Sequence, residues 1–121
     1  MSLMLALLLV QATSYPGGDF LYAGGQCLEL GPQTGPVHWG LERSECIELA
    51  KLDAQLNRIY RAKMKSQSAQ RRSNLRKAQR AWLATMNATC GAGKDAEIID
   101  EAASTCFGTE VRKRIAQLRK L

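Results

Sequence analysis

Apolar residues recur with a helical period over two long stretches of the chain. The first stretch begins near Leu41, and its apolar positions are Leu49, Leu52, Leu56, Ile59 and Tyr60. The second runs from about Ala69 to Thr89, and its apolar positions are Leu75, Ala78, Trp82 and Met86. Spacings of three and four residues place each set on one face of a helix. Because Ser66-Gln67-Ser68 lies between them as a polar turn, the pattern predicts an antiparallel helical hairpin.

Shorter helical patterns follow the predicted hairpin. The stretch from Asp95 to Ala103 predicts a short helix that carries Ile98, Ile99 and Ala102. Cys106-Phe107-Gly108 predicts a break, since glycine is a poor helix former. A last amphipathic helix is indicated by Val111, Ile115 and Leu118.

The segment 13–40, which precedes the predicted helices, is rich in glycine and proline. Such residues favour turns and loops, and the segment is predicted to be irregular apart from a helical turn at Cys27-Leu28-Glu29-Leu30. A binding role and an anchoring role are equally open for His38 and Trp39 in this segment. The pattern as a whole predicts an all-α fold, in which an antiparallel helical hairpin is followed by shorter C-terminal helices.

The first 12 residues differ in composition from the rest. Their apolar run, Leu3 to Val10, is too short to span a bilayer, which requires about 20 apolar residues. It is typical of a secretory signal, and Val10 and Ala12 suit the positions before a cut at Thr13. The alternative is a buried N-terminal strand or helix. The predicted organisation is a signal peptide at 1–12, the Gly/Pro-rich segment at 13–40 and a helical domain at 41–121.

The four cysteines independently favour export. They are Cys27, Cys46, Cys90 and Cys106, and an even number in a short chain is typical of structural disulfides in an oxidising compartment. No C-x-x-C pair occurs, which disfavours zinc binding and thioredoxin-type chemistry. We predict Cys27–Cys46 and Cys90–Cys106 bonds. Because the hairpin places all four cysteines at one end, crossed pairing such as Cys46–Cys90 stays open.

Charge is segregated along the chain. The 121 residues carry a net charge of +6 with one histidine. Residues 13–53 have a net charge of −4, residues 54–94 hold ten bases and no acid, and residues 95–121 are balanced. No paired carboxylates, nucleophile elbow or phosphate loop can be assembled, so the sequence predicts no enzyme, no cofactor and no metal site.

Three arginines are the candidate partner-binding residues. Arg72, Arg76 and Arg80 are spaced by four and so share a helix face, where like charges destabilise a helix by a few tenths of a kcal/mol per pair. Their presence is easier to explain if the acidic segments at 42–53 or 95–101, or an anionic partner, lie close by. A solvated charged face is the alternative.

Two motifs on the predicted helices carry a family resemblance. Leu75 to Leu83 reads L-x-x-A-Q-R-A-W-L, and Asp53 to Tyr60 reads D-x-x-L-N-x-x-Y. In this order, together with the four cysteines, they resemble the LprI-type lysozyme inhibitor family of small exported helical proteins. The resemblance covers about 27–118. The chain departs from the family pattern at Met86-Asn87, where an Arg-Asp pair is usual. It departs again after Cys106, where the family pattern is C-x4-T-x2-R-x3-L: Val111 stands at the threonine position, and Arg114 matches the arginine.

The resemblance implies an exported, non-enzymatic binding protein, periplasmic or extracellular, that inhibits lysozyme or a related cell-wall hydrolase. The motif residues are interpreted mainly as structural, with Trp82 packing against Leu52, Leu56 and Ile59; an exposed recognition patch is the alternative. These residues are Asp53, Leu56, Asn57, Tyr60, Ala78, Gln79, Arg80, Trp82 and Leu83.

Two other functions remain open from the residues alone. The basic span favours a binding module for anionic envelope components, such as lipopolysaccharide, teichoic acid or acidic lipid. A purely structural accessory domain of the envelope is the third candidate. Predicted export argues against nucleic acid as the partner, and no segment is long and apolar enough to predict a transmembrane span.

Overall fold

The structure, a computed structural model, describes residues 18–31, 40–93 and 96–121. The predicted signal peptide at 1–12, the cut at Thr13, and His38 and Trp39 lie outside these residues. Two strands and three helices are described: β1 (Phe20–Ala23), β2 (Gln26–Glu29), α1 (Arg43–Lys65), α2 (Ala69–Cys90) and α3 (Glu101–Arg119).

The two long helices and their turn are confirmed. On α1, Leu49 and Leu56 are buried, and Leu52, Ile59 and Tyr60 are half-buried against the core. The turn is stabilised at Ser68, whose Oγ accepts a hydrogen bond from the backbone N–H of Arg71 at 3.3 Å and so caps α2. Helix α2 ends at Gly91, which has a φ of +68°, a conformation that glycine adopts without steric cost.

The buried face of α2 differs from the predicted one. Leu75 and Met86 are buried, Trp82 is half-buried and packs against the core, but Ala78 is exposed. The position that is buried instead is Gln79, which is only 8% exposed. At 3.6 residues per turn, positions 78 and 79 both lie close to the Leu75 side of the helix. A prediction from hydrophobicity alone therefore assigns Ala78, and not Gln79, to the buried face.

The predicted break at Cys106-Phe107-Gly108 is wrong. Asp95, where the predicted short helix begins, lies outside the described residues, and residues 96–100 are not helical. One continuous helix, α3, runs from Glu101 to Arg119. Its start is set by Asp100, whose Oδ1 accepts a hydrogen bond from the backbone N–H of Ala103 at 2.8 Å. Gly108 is buried within the helix. A Cβ there would lie 3.2 Å from Nη1 of Arg112 and at an ordinary contact distance, 3.8 Å, from Cδ1 of Leu52 on α1.

The helices run alternately in opposite directions. The Cys90–Cys106 disulfide joins the end of α2 to the start of α3, and Lys63 at the other end donates a hydrogen bond to the Leu121 carbonyl oxygen at 2.9 Å. Helix α3 packs closely against both α1 and α2, whereas α1 and α2 approach each other closely at few points. The described fold is thus a three-helix arrangement, and not a closely packed hairpin with shorter helices appended.

A small antiparallel sheet corrects the all-α prediction. Strand β1 pairs with β2 through a turn at Gly24 and Gly25, both with positive φ, which suits the tight turn of a β-hairpin. The predicted helical turn at Cys27–Leu30 is therefore wrong, because most of it forms β2. Tyr22 also pairs with Ile98, its backbone N–H donating to the Ile98 carbonyl oxygen at 2.9 Å.

The predicted disulfide pairing is confirmed. Cys27 is bonded to Cys46 and Cys90 to Cys106, with Cα–Cα distances of 5.8 and 5.4 Å. The first bond ties the β-hairpin of β1 and β2 to α1, and the second ties α2 to α3. On the chain-entropy estimate, each closed loop stabilises the fold by about 3 kcal/mol.

The core lies where α3 meets the β-hairpin and α1. Ile98 and Val111 are fully buried, and Phe107 stacks at a tilt on Tyr22 with ring centroids 5.5 Å apart. Ile115 and Leu118 extend the core toward the opposite end of α3, as the sequence predicts.

Candidate functional site

Residues of both family motifs meet in one groove between α1 and α2. The groove has a volume of about 320 Å³, and we call it the motif groove. It is lined by Asp53, Leu56, Asn57, Tyr60, Arg76, Gln79, Arg80 and Leu83. Seven of the nine predicted motif residues are among these, and the two that are not are Ala78 and Trp82. Because positions three, four and seven residues apart share a helix face, each motif contributes one such face to the groove.

Asp53 joins the motif groove to the β-hairpin. Its Oδ2 accepts a hydrogen bond from the Tyr22 hydroxyl at 2.6 Å. Burial raises the pKa of the Tyr22 hydroxyl well above its ordinary value, and the hydrogen bond to Asp53 and the negative charge of that residue raise it further. The hydroxyl therefore stays a donor at neutral pH. The principal contact of Asp53 is structural, since it holds β1 against α1.

Gln79 lines the groove and is hydrogen-bonded to Arg114, a residue of α3 that does not itself line it. The Arg114 Nε donates a hydrogen bond to Gln79 Oε1 at 2.8 Å, and its Nη1 donates to Gln117 Oε1 at 3.1 Å. Burial lowers the pKa of the Arg114 guanidinium, and the nearby Tyr60 hydroxyl opposes that shift. The family register identifies Arg114 in the sequence, but no local pattern connects it with Gln79, which lies 35 positions earlier.

Replacement of Gln79 by methionine tests the hydrogen bond between Gln79 and Arg114. Methionine has a similar length and helix propensity but cannot accept the Arg114 hydrogen bond, so a buried cationic donor loses its partner. We expect the free energy of unfolding to fall by about 1–3 kcal/mol, measured by urea denaturation. Gln79→Glu keeps an acceptor at the same position and is the control. Equal stability of Gln79→Met and the unmodified protein would show that the contact is dispensable.

Two of the three predicted arginines lie in the motif groove. Arg76 and Arg80 are exposed and line it, whereas Arg72 is half-buried and does not. None of the three forms an ion pair with an acid in the part of the chain that the structure describes. The nearby acids Glu45 and Glu48 line a different groove, between α1 and α3. Of the same acidic segment, 42–53, Asp53 does line the motif groove with Arg76 and Arg80, but no ion pair joins it to either arginine among the described residues.

The rim of the groove also exposes an apolar side chain. Leu83 is 42% exposed and lies one helical turn beyond Arg80. An apolar residue beside arginines on a surface is a composition typical of protein interfaces, in which arginine is enriched at the residues that contribute most to binding. The groove thus combines cationic, amide and apolar groups that a protein partner can contact.

Two of the residues that depart from the family pattern are part of the core. Met86 and Val111 are 3% and 0% exposed, and neither lines the motif groove. Asn87 is half-buried near the end of α2, where its carbonyl oxygen accepts a hydrogen bond from the Ala92 N–H at 3.0 Å. These departures therefore change the interior and the helix end, and they leave the lining of the groove as the two motifs specify it.

The part of the chain that the structure describes contains neither a cluster of metal ligands nor a membrane-spanning helix. Within 18–31, 40–93 and 96–121, no three His, Cys, Asp or Glu side chains come together as metal ligands, and all four cysteines are in disulfides. None of the helices described is both long and apolar enough to cross a bilayer.

Comparison with known proteins adds one finding. A family model described as "Lysozyme inhibitor LprI" matches residues 40–118. This range includes α1, α2 and most of α3, and therefore the whole lining of the motif groove. No curated protein and no solved structure matches the chain at a significant level.

Proposed function

The chain belongs to the LprI lysozyme inhibitor family, and from this membership we propose that it inhibits a lysozyme or a related cell-wall hydrolase by binding over its active-site cleft. The observation that carries the proposal is that both family motifs line one groove with two exposed, unpaired arginines. The surface we assign to the target is the motif groove with its rim at Arg76, Arg80 and Leu83.

The chemistry of the target's cleft fits this surface. Glycoside hydrolases of the lysozyme type use two carboxyl groups that flank the scissile bond. Guanidinium groups bind carboxylates through charge-assisted, frequently bidentate hydrogen bonds. Arg76 or Arg80 placed in such a cleft would pair with a catalytic carboxylate and exclude the sugar chain, while Leu83 contacts the apolar wall.

The net charge of the chain affects the rate at which it associates with an enzyme more than it affects the contact in the bound complex. The chain carries +6, and many lysozymes are also basic, so long-range repulsion slows their encounter. Added salt screens that repulsion. For a basic lysozyme we therefore expect the association rate to rise with salt, whereas binding to an anionic polymer weakens as salt is added.

A panel of purified lysozymes tests the proposal. The disulfide-bonded protein is titrated into each enzyme with peptidoglycan as substrate, and its binding to anionic vesicles is measured at two salt concentrations. We expect saturable inhibition of at least one enzyme at stoichiometric excess. Vesicle binding that falls steeply with salt, without inhibition of any enzyme, would contradict the proposal and favour the second candidate.

The second candidate is a binding module for anionic envelope components. It is favoured by a group of exposed basic residues on α1 and α2 that form no ion pair with an acid that the structure describes; Lys51, which pairs with Glu48, is not one of them. These residues include Arg58, Arg61, Lys65, Arg76 and Arg80. In this function any exposed cation of the surface contributes, whereas inhibition depends on the cations of the groove.

Export is part of the proposal. The two disulfides fit an oxidising compartment, and the apolar run before Thr13 is typical of a signal peptide. We expect the protein recovered from the exported fraction to begin at Thr13. Intact mass spectrometry measures this directly, and an exported species that still contains Met1 would contradict it.

A further inference from the structure

A second cavity lies beside the motif groove, on a neighbouring face of α2. It has a volume of about 410 Å³ and shares no lining residue with the groove. Its walls come from the first half of α2, the turn before it and the end of α3. Neither the family match nor the proposed inhibition gives this cavity a role.

The cavity is lined by apolar side chains and by two arginines. Leu75, Ala78 and Leu121 supply apolar surface, and Arg71 and Arg114 supply two guanidinium groups. The remaining residues, Gln67 and Asn74, carry neutral amides, so no acidic side chain is among the described residues that line the cavity. An apolar wall with a few convergent polar groups is the usual composition of a small-molecule site, and here both charged side chains of the described lining are positive.

Arg114 adds an independent observation. Its Nε and Nη1 are hydrogen-bonded to glutamine side chains, but its Nη2 is buried and has no acceptor among the residues that the structure describes. Buried polar groups are nearly always paired, because an unpaired donor destabilises the folded state. The guanidinium beside this cavity therefore keeps one donor without an acceptor. Because this nitrogen is not accessible to solvent, an oxyanion in the cavity reaches it only when the Arg114 side chain shifts toward the cavity.

We propose that this cavity binds a single-chain amphiphile whose head group is an oxyanion, either a carboxylate or a phosphate. The head is placed at Arg71 and Arg114, because the guanidinium fork matches both oxyanions, and the acyl chain lies along Leu75, Ala78 and Leu121. A volume near the lower end of the range for ligand pockets, roughly 300–1,000 Å³, suits one medium-length chain and excludes a two-chain lipid.

Isothermal titration calorimetry of the disulfide-bonded protein tests the proposal with three ten-carbon probes. Decanoate and decyl phosphate carry the two oxyanion heads, and decanol carries a neutral head on the same chain. We expect one or both oxyanions to bind at least about tenfold more tightly than decanol, the ratio that a charge-assisted contact produces. The tighter of the two identifies the head group. Equal affinity for decanol, or no heat with either oxyanion, would overturn the proposal.

Variants separate this cavity from general basic surface. Arg71→Gln should weaken binding of the preferred oxyanion about tenfold, and Ala78→Phe should abolish it by filling the cavity; both positions are exposed, and unfolding curves verify the fold. Lys77→Gln removes an exposed charge of α2 that lines neither cavity and should leave the affinity unchanged. If Lys77→Gln weakens binding as much as Arg71→Gln, the probes bind to diffuse positive charge and the site is refuted.

Discussion

Phe107→Ala is expected to lower the free energy of unfolding by about 3–5 kcal/mol, the range for removing a large buried aromatic side chain. Phe107 is 6% exposed and stacks on Tyr22, which is itself 3% exposed. The adjacent Cys106 is bonded to Cys90, so the backbone at this point cannot easily move inward to fill the cavity. We therefore expect the upper part of the range, measured by urea denaturation with the disulfides intact.

Ile99→Ala is the matched control for this prediction. Ile99 is 38% exposed, and loss of its side chain should cost about 1 kcal/mol or less. Amide hydrogen exchange in the unmodified protein gives a second measurement, because residues 106–109 are protected if α3 is continuous and exchange rapidly if the helix is broken there. A Phe107→Ala effect no larger than that of Ile99→Ala, with rapid exchange at these amides, would contradict the continuous helix.

The elements that local rules specify were predictable from the sequence. The apolar stripe of α1 repeats at three and four residues over its whole length, the turn contains the capping Ser68, and α2 ends at Gly91. Each of these signals acts within one helical turn, so no knowledge of the tertiary structure is needed. The helix directions place the cysteines at one end but leave crossed pairing open, and the predicted pairing, which joins cysteines close in sequence, is the one that the structure has.

The errors arose where distant residues decide the outcome. Gly108 was interpreted as a helix break, but it lies buried within α3, whose packing against α1 and α2 outweighs the poor helix propensity of one glycine. The segment Cys27–Leu30 was interpreted as a helical turn, but it pairs with β1, and β1 is held in turn by backbone hydrogen bonds to Ile98 and Leu41. Such pairings override weak local preference.

The candidate site was predictable in its composition and not in its arrangement. Both motifs could be located on their helices, but α3 packs against α1 and α2 and leaves a groove between them, and this follows only from the three-dimensional fold. Arg72, Arg76 and Arg80 were grouped because they are spaced by four. With 3.6 residues per turn, a spacing of four moves each position gradually around the helix, and Arg72 therefore lies outside the groove that the other two line. Gln79 was interpreted as a structural motif residue, and its partner Arg114 comes from the third helix.

The double variant Arg76→Gln/Arg80→Gln is expected to weaken inhibition of the target lysozyme by roughly 30- to 1,000-fold, which corresponds to about 2–4 kcal/mol at the centre of an interface. Both arginines are exposed and unpaired in the free protein, so their loss breaks no described ion pair of the fold. Glutamine has a helix propensity close to that of arginine. We therefore expect an unchanged or slightly higher melting temperature, and the whole effect should appear in the inhibition constant.

The matched control is Arg61→Gln/Lys77→Gln, which removes the same number of charges from exposed positions of α1 and α2 outside the motif groove. If the groove binds the enzyme, this control should change the inhibition constant less than about threefold, since exposed charges outside an interface contribute little. Adding Arg72→Gln to the double variant should give no further large loss, because Arg72 does not line the groove. If instead the two double variants weaken binding equally, net charge alone governs association. Diffuse attraction to anionic material would then replace docking through the groove as the explanation for the basic helices.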